Sequence, residues 1–270
     1  MRRGLALCAA AAALVIVGAR GEGGEVKVPE TAKDVLTRDA TVRWRLTWRT
    51  PIVPADRMKG KGPGVLPVER VPFTSRPDIQ HVRIAPPAAE WNTLDYDATD
   101  WPRSRIRRFS SPYFQTGAVF IRSKFRVVDP KAVKACYLSL KYRGGVVVYL
   151  NGEEVARGDM PAGPVKADAP AAPYPDDAWV DDQGKILPKE HGIRSYEKAG
   201  RTEVVRRLRS RNRALGPVAL PGSKLKKGVN LLAISLHRSD YHPIALTWFS
   251  QRLIHNSWRP IQLRDISLKA

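Results

Sequence analysis

Cysteine is almost missing: Cys8 and Cys136 are the two in the chain. Cys8 lies inside an N-terminal stretch that reads as an export signal, so the mature chain keeps Cys136 alone and an intramolecular disulfide is excluded. Long apolar runs are missing too. The run Leu5 to Val17 is about 13 residues against the roughly 20 that cross a bilayer, so no transmembrane segment is expected once the signal is removed. No HExxH, GxSxG, P-loop or glycine-rich dinucleotide fingerprint occurs, which removes the zinc-peptidase, serine-hydrolase, nucleotide-hydrolase and dinucleotide-binding classes that those motifs announce. Acidic residues are scarce, 26 against 46 basic ones, for a formal charge of +20. Such an excess suits an acidic ligand or an anionic surface and says nothing about fold. An arginine-rich composition without a partner is the plain alternative.

The signal consists of Arg2 and Arg3, the apolar run, and the small residues Gly18 and Ala19, with cleavage after Ala19. Cys8 precedes most of that run, which argues against a lipoprotein signal. Export points to a secreted, periplasmic or cell-envelope protein and weighs against nucleic acid as the partner despite the charge. Residues 20–40 are rich in glycine and charge and read as a flexible tether. Residues 41–270 are long enough for one large β domain.

The most ordered pattern runs from Tyr137 to Met160. Two alternating apolar runs, Tyr137 to Tyr142 and Val146 to Leu150, flank Arg143-Gly144-Gly145, and Asn151-Gly152 then leads into Glu153 to Arg157. Three antiparallel strands follow. Asn-Gly is the pair that best tolerates the two positive φ values of a type I′ hairpin turn, so it sets the register there. Val146, Val148 and Leu150 point to one face and Val147 and Tyr149 to the other, as in a strand inside a sandwich.

These residues, together with FRVVD at Phe125 to Asp129, GGVVVYLNGEEVAR at Gly144 to Arg157, MPAG at Met160 to Gly163 and GVNLLAISLH at Gly228 to His237, resemble the galactose-binding-like jelly roll. That domain is the sugar-binding part of family-two glycoside hydrolases and a non-catalytic module of many secreted bacterial proteins. WNTLDYDATDWP at Trp91 to Pro102 resembles the tryptophan-aspartate-tryptophan segment that opens it. The resemblance implies an all-β fold, an antiparallel jelly-roll β-sandwich, interrupted here by a long loop and short-helix insertion at about 161–222. It covers Trp91 to the C-terminus and weighs little on ligand, since such folds host many functions.

Elsewhere, Thr41 to Thr50 alternates Val42, Trp44, Leu46 and Trp48 against Arg43, Arg45, Thr47 and Arg49, a strand with one buried side. Residues 51–87 read as loop with short strands at Val68 to Val71 and His81 to Ile84. Ala118 to Val128 is a long strand, Leu231 to His237 a buried one, Ile244 to Leu253 another, and Ile261 to Leu268 the closing one. Tyr196 to Leu215 has helical potential, with Val204, Val205 and Leu208 on one side and arginines around the rest.

No cofactor is expected. The short residues around Asp97 suit a capped turn that seats Trp91 and Trp101; a structural calcium on Asp95, Asp97 and Asp100 is the sharper alternative. His237, Asp240 and His242 offer metal-ligand types, but a strand sends the two histidines to opposite sides. Cys136 reads as a small buried thiol. Paired carboxylates for glycoside hydrolysis are a spatial property, and the resemblance is to the binding part of such enzymes and not to their barrel, so a non-enzyme is expected. No second domain follows, so an attached catalytic module is not expected either.

A secreted carbohydrate-binding module is therefore the leading function. Sugar rings stack their apolar faces on aromatic planes, for which Tyr113, Tyr174, Trp179 and Tyr241 are the candidates. Their hydroxyls and charges need polar partners, for which Arg143, Arg194 and His191 are the candidates. The arginines point to an acidic or sulfated polysaccharide, because guanidinium pairs with carboxylate and sulfate through parallel hydrogen bonds. The alternatives are an interaction or scaffold domain of the cell envelope and an accessory sugar-binding domain of a glycoside hydrolase system.

Overall fold

The computed structural model describes residues 26–48, 52–53, 64–65, 86–106, 116–188, 192–242, 244 and 261–270. The signal, the strands expected at Val68 to Val71 and His81 to Ile84, and residues 245–253 of the strand expected from Ile244 fall outside them. Strands β1 (Asp34–Thr37), β2 (Thr41–Trp48), β3 (Ile52–Val53), β4 (Gly64–Val65), β5 (Arg103–Arg105), β6 (Thr116–Val127), β7 (Ala135–Arg143), β8 (Gly145–Leu150) and β9 (Glu153–Gly158) come first. Helices α1 (Ile193–Lys198) and α2 (Thr202–Arg209) follow, then β10 (Arg213–Pro221), β11 (Gly228–His237) and β12 (Gln262–Lys269).

Among the described residues the strands form an antiparallel sheet in the order β1-β12-β7-β10, another in the order β5-β2-β6-β11-β8-β9, and the short pair β3-β4. The two larger sheets enclose one apolar layer. Leu138, Leu140, Leu263 and Ile266 from the first meet Val119, Ile121, Val146, Val148, Ile234 and Leu236 from the second. This is the β-sandwich that the alternating strands predict, and Cys136 is buried in it, its thiol pKa raised by burial.

Asn151 and Gly152 turn β8 into β9 with φ of 54° and 94°. The Asn151 side chain adds a lock that alternation does not reveal. Its Oδ1 accepts from the Leu231 N–H at 2.9 Å, and its Nδ2 donates to Asn230 Oδ1 at 2.8 Å and to the Lys224 carbonyl at 3.2 Å. Asn230 is buried, yet its amide also accepts from Lys226 N and donates to the Lys226 and Gly228 carbonyls. A buried polar group so satisfied fixes geometry at little cost.

Three expectations need correction. The stretch 20–40 is not all tether, because Asp34–Thr37 pairs with β12 and Lys33 N donates to the Ala270 carbonyl at 2.8 Å. The strands on either side of Gly144 do not pair with each other: β7 lies in one sheet and β8 in the other, so Arg143-Gly144-Gly145 is a corner between layers. The helical reading of Tyr196 to Leu215 and the insertion to 222 run too far. The helix stops at Arg209, and Arg213–Pro221 is a strand on β7 with a register shift at Gly216-Pro217. Gly216 has φ of 89°, and a Cβ there would lie 2.1 Å from the Leu138 carbonyl oxygen, so the shift needs glycine.

Candidate functional site

The outer face of the six-stranded sheet, away from the sandwich core, carries Phe120 and Arg122 of β6, Leu231 and Ala233 of β11, and Arg43 of β2. The segment 91–101 lies over part of it. Trp91 meets Phe120 edge-on with centroids 4.9 Å apart, meets Tyr149 at 5.6 Å, and stacks on Trp101 at 6.5 Å. Tryptophans are thus seated on the sheet as the sequence predicts, and aromatic pairs of this kind add to their burial.

An irregular segment packed on a sheet needs donors for its carbonyls, because a buried carbonyl without one is costly. Two arginines supply them. Arg122 Nη1 donates to the Trp91 carbonyl and to that of Thr93 at 2.9 Å, and Nη2 donates to that of Tyr96 at 3.2 Å. Its guanidinium lies 5.3 Å from the Tyr96 ring centre. Arg43 Nη1 donates to the Thr99 and Trp101 carbonyls at 2.8 and 3.1 Å. Arg122 is 4% exposed, and burial lowers its pKa from the ordinary guanidinium value, but an arginine stays charged under any condition a protein survives.

Beside this clamp lies a cavity of about 410 Å³ lined by Arg43, Arg103, Arg122 and Lys124, by the Tyr96 ring and Asp97, and by the threonines Thr41 and Thr99. Cations outnumber carboxylates there by four to one. Asp97 Oδ1 accepts from Thr99 N at 2.9 Å, and the backbone and hydroxyl of Thr99, then the charge of Arg43, hold its carboxyl below the usual range. Among the described residues no carboxylate lies within ion-pair distance of Arg43, Arg103, Arg122 or Lys124. Asp100 instead approaches Arg45 at 3.9 Å. Asp97 thus serves the capped turn, and among the described residues no group of three His, Cys, Asp or Glu side chains converges as a metal site. His237 is held by the Ala169 carbonyl at 3.1 Å and Ser235 Oγ at 3.0 Å, while His242 faces Asp176 at 3.5 Å.

None of the described residues that were expected to contact sugar lines this cavity. Tyr113 and His191 are outside the described residues. Arg194 is exposed on α1. Trp179, Tyr174 and Tyr241 are buried, Trp179 to 1% exposure, and their ring contacts form one cluster under the insertion. Cations occupy the ring faces: Arg211 sits 4.6 Å from the Trp179 centre, Arg213 4.0 Å from Tyr174 and Arg238 5.1 Å from Tyr241. The reading of Tyr174 and Trp179 as surface-loop residues is corrected accordingly, because 161–188 folds back on the corner between the sheets instead of standing in solvent. Tyr174 Oη accepts from Gly144 N at 2.7 Å and donates to the Arg211 carbonyl at 3.1 Å. Arg143, also buried, grips Asn212 Oδ1 through Nε and Nη2 at 3.0 and 2.8 Å.

Arg43 and Arg122 were visible in the sequence only as polar positions of expected strands, and Arg103 not as a strand residue at all. Their convergence depends on strand pairing, which alternation does not report.

No protein-family model and no curated protein matches the sequence. Solved structures show partial likeness. A calcium-binding mutant of Bacteroides uniformis β-glucuronidase 2 is 13% identical over 70% of this chain and 16% of its own, with a TM-score of 0.35. Bifidobacterium dentium β-glucuronidase, complexed with coumarin-3-O-glucuronide, is 10% identical over 90% of this chain and 30% of its own, at 0.37. A glycoside hydrolase family 2 member from Bacteroides cellulosilyticus is 12% identical over 68% and 18%, at 0.31. The chain therefore spans less than a third of the length of each.

Proposed function

We propose that this chain is an exported, non-catalytic carbohydrate-binding β-sandwich that takes an acidic or sulfated glycan in the cavity beneath the segment 91–101. The observation that carries the reading is the lining of that cavity, four cations and one carboxylate with an aromatic ring and hydroxyls. Its volume falls within the roughly 300–1,000 Å³ of small-molecule sites. A saccharide bearing carboxylate or sulfate complements it in three ways, through guanidinium for the acid group, threonine and carbonyl groups for the hydroxyls, and the Tyr96 ring for a sugar face. Among the described residues the lining holds one carboxylate, Asp97, whereas glycoside hydrolysis works with a pair about 5–10 Å apart. The apolar run Leu5 to Val17 followed by Gly18 and Ala19 supports export, and sequencing of the mature N-terminus should begin at Arg20.

A glycan array read across a salt titration tests the function. The expected result is saturable binding to defined acidic oligosaccharides that persists in moderate salt, with no turnover of chromogenic glycosides. Loss of all binding by about 0.3 M salt would instead mean a diffuse electrostatic surface, and the sugar site would be wrong.

A further inference from the structure

The cavity arginines are not merely near one another. Arg103 of β5 is the registered partner of Arg43 of β2, and Arg43 is the registered partner of Arg122 of β6. Directly opposed residues of an antiparallel sheet point to the same face, and like charges so placed oppose folding. Three guanidinium groups thus stand in one row across three adjacent strands, with Lys124 two residues along β6 on the same face. Among the described residues no carboxylate pairs with any of them. Stapling the segment 91–101 explains Arg43 and Arg122, which hold its carbonyls. It does not explain Arg103, which is exposed and closes the row at the sheet edge.

We infer that the row is a polyvalent anion track: a saccharide chain carrying several sulfate or carboxylate groups lies across β5, β2 and β6, perpendicular to the strands, with successive acid groups on Arg103, Arg43 and Arg122. The inference rests on the sugar-binding reading and adds the ligand's valence and direction. Strands in a sheet are about 4.8 Å apart, so the row spans about 10 Å, a length over which a single acid group cannot reach both ends. Arg122, buried and held by three carbonyls, is the fixed end of the track, and Arg103 and Lys124 are its adaptable end.

The test titrates the mature chain with size-defined dextran sulfate oligomers, oligogalacturonates and unsulfated dextran oligomers of matched length. Affinity for the two charged series should rise with length until three acid groups are present and then level off, and the logarithm of affinity should fall with the logarithm of salt with a slope of roughly two to three. Sulfate against galacturonate identifies which acid group fits. Arg103→Gln should cost about tenfold in affinity and lower the slope by about one without lowering the thermal midpoint. Arg209→Gln on α2 should change neither, which controls for overall charge. Arg122 is avoided as the decisive variant because the segment 91–101 hangs on it. If Arg103→Gln leaves affinity and slope unchanged, or unsulfated dextran binds as tightly, the track is wrong while a sugar site survives. If no saccharide on the array binds, charged or neutral, the sugar reading falls as well.

Discussion

Arginines crowd two regions of this protein, and the regions treat them in opposite ways. In the insertion and the strand after it, guanidinium groups are consumed internally. Arg207 is buried and pairs with Glu203 at 2.6 Å and Asp182 at 2.5 Å, Arg206 pairs with Glu203 at 2.7 Å, and Arg211 and Arg213 lie over rings. Arg213 also donates to the Gly144, Ala172 and Pro173 carbonyls and so ties the insertion to the corner between the sheets. On the outer sheet face, Arg103, Arg43 and Arg122 share a row with no carboxylate at ion-pair distance among the described residues, Asp97 being the one described carboxylate of the cavity they line. The excess positive charge of the sequence is therefore not evenly available, and a cation already matched with an anion has little left to offer a ligand. Arginine density alone therefore does not report where positive charge stands open.

The contrast breaks most visibly at Trp179. If the ring is core, Trp179→Ala should lower unfolding stability by about 3–5 kcal/mol in chemical denaturation and leave the cavity's ligand affinity intact in the folded fraction. Lost glycan binding at unchanged stability would restore the ring as a stacking platform. Arg122→Met should cost about 3 kcal/mol in chemical denaturation, because three carbonyls lose a charged donor; an unchanged midpoint would mean that the segment 91–101 does not hang on this side chain. The smallest effect belongs to the insertion. The Arg206 and Arg207 guanidinium groups hold the Glu203 carboxyl at about 2 in place of its usual 4.5. A carboxyl depressed on folding contributes stability that is whole above its unfolded value and is lost as pH falls toward the folded one. Protection of α2 amides from hydrogen exchange should therefore weaken between about pH 4.5 and 2. Glu203→Gln should remove that pH dependence and leave glycan binding as it was.

Much of the framework was legible in the chain. Alternation in Thr41 to Thr50 and Ala118 to Val128 and the apolar run Leu231 to His237 identified strands, and Asn151-Gly152 announced its turn, because these signals are local consequences of backbone geometry. The helical reading ran past Arg209 because arginine and leucine favour helices and nothing local reports that Arg213–Pro221 is claimed by β7. Tyr174 and Trp179 misled for a related reason: proline and aspartate around them describe a chain without regular structure, which is compatible with packing as well as with exposure.

By itself the sequence determined the central strands, their inward faces and the Asn151-Gly152 turn, since side-chain period and φ preference act over a few residues. Tertiary structure alone decided which cations are spent and which stand open. That choice depends on pairing between strands far apart in the chain, Arg103 with Arg43 and Arg43 with Arg122, and on a segment folded over them, and neither leaves a mark in local pattern.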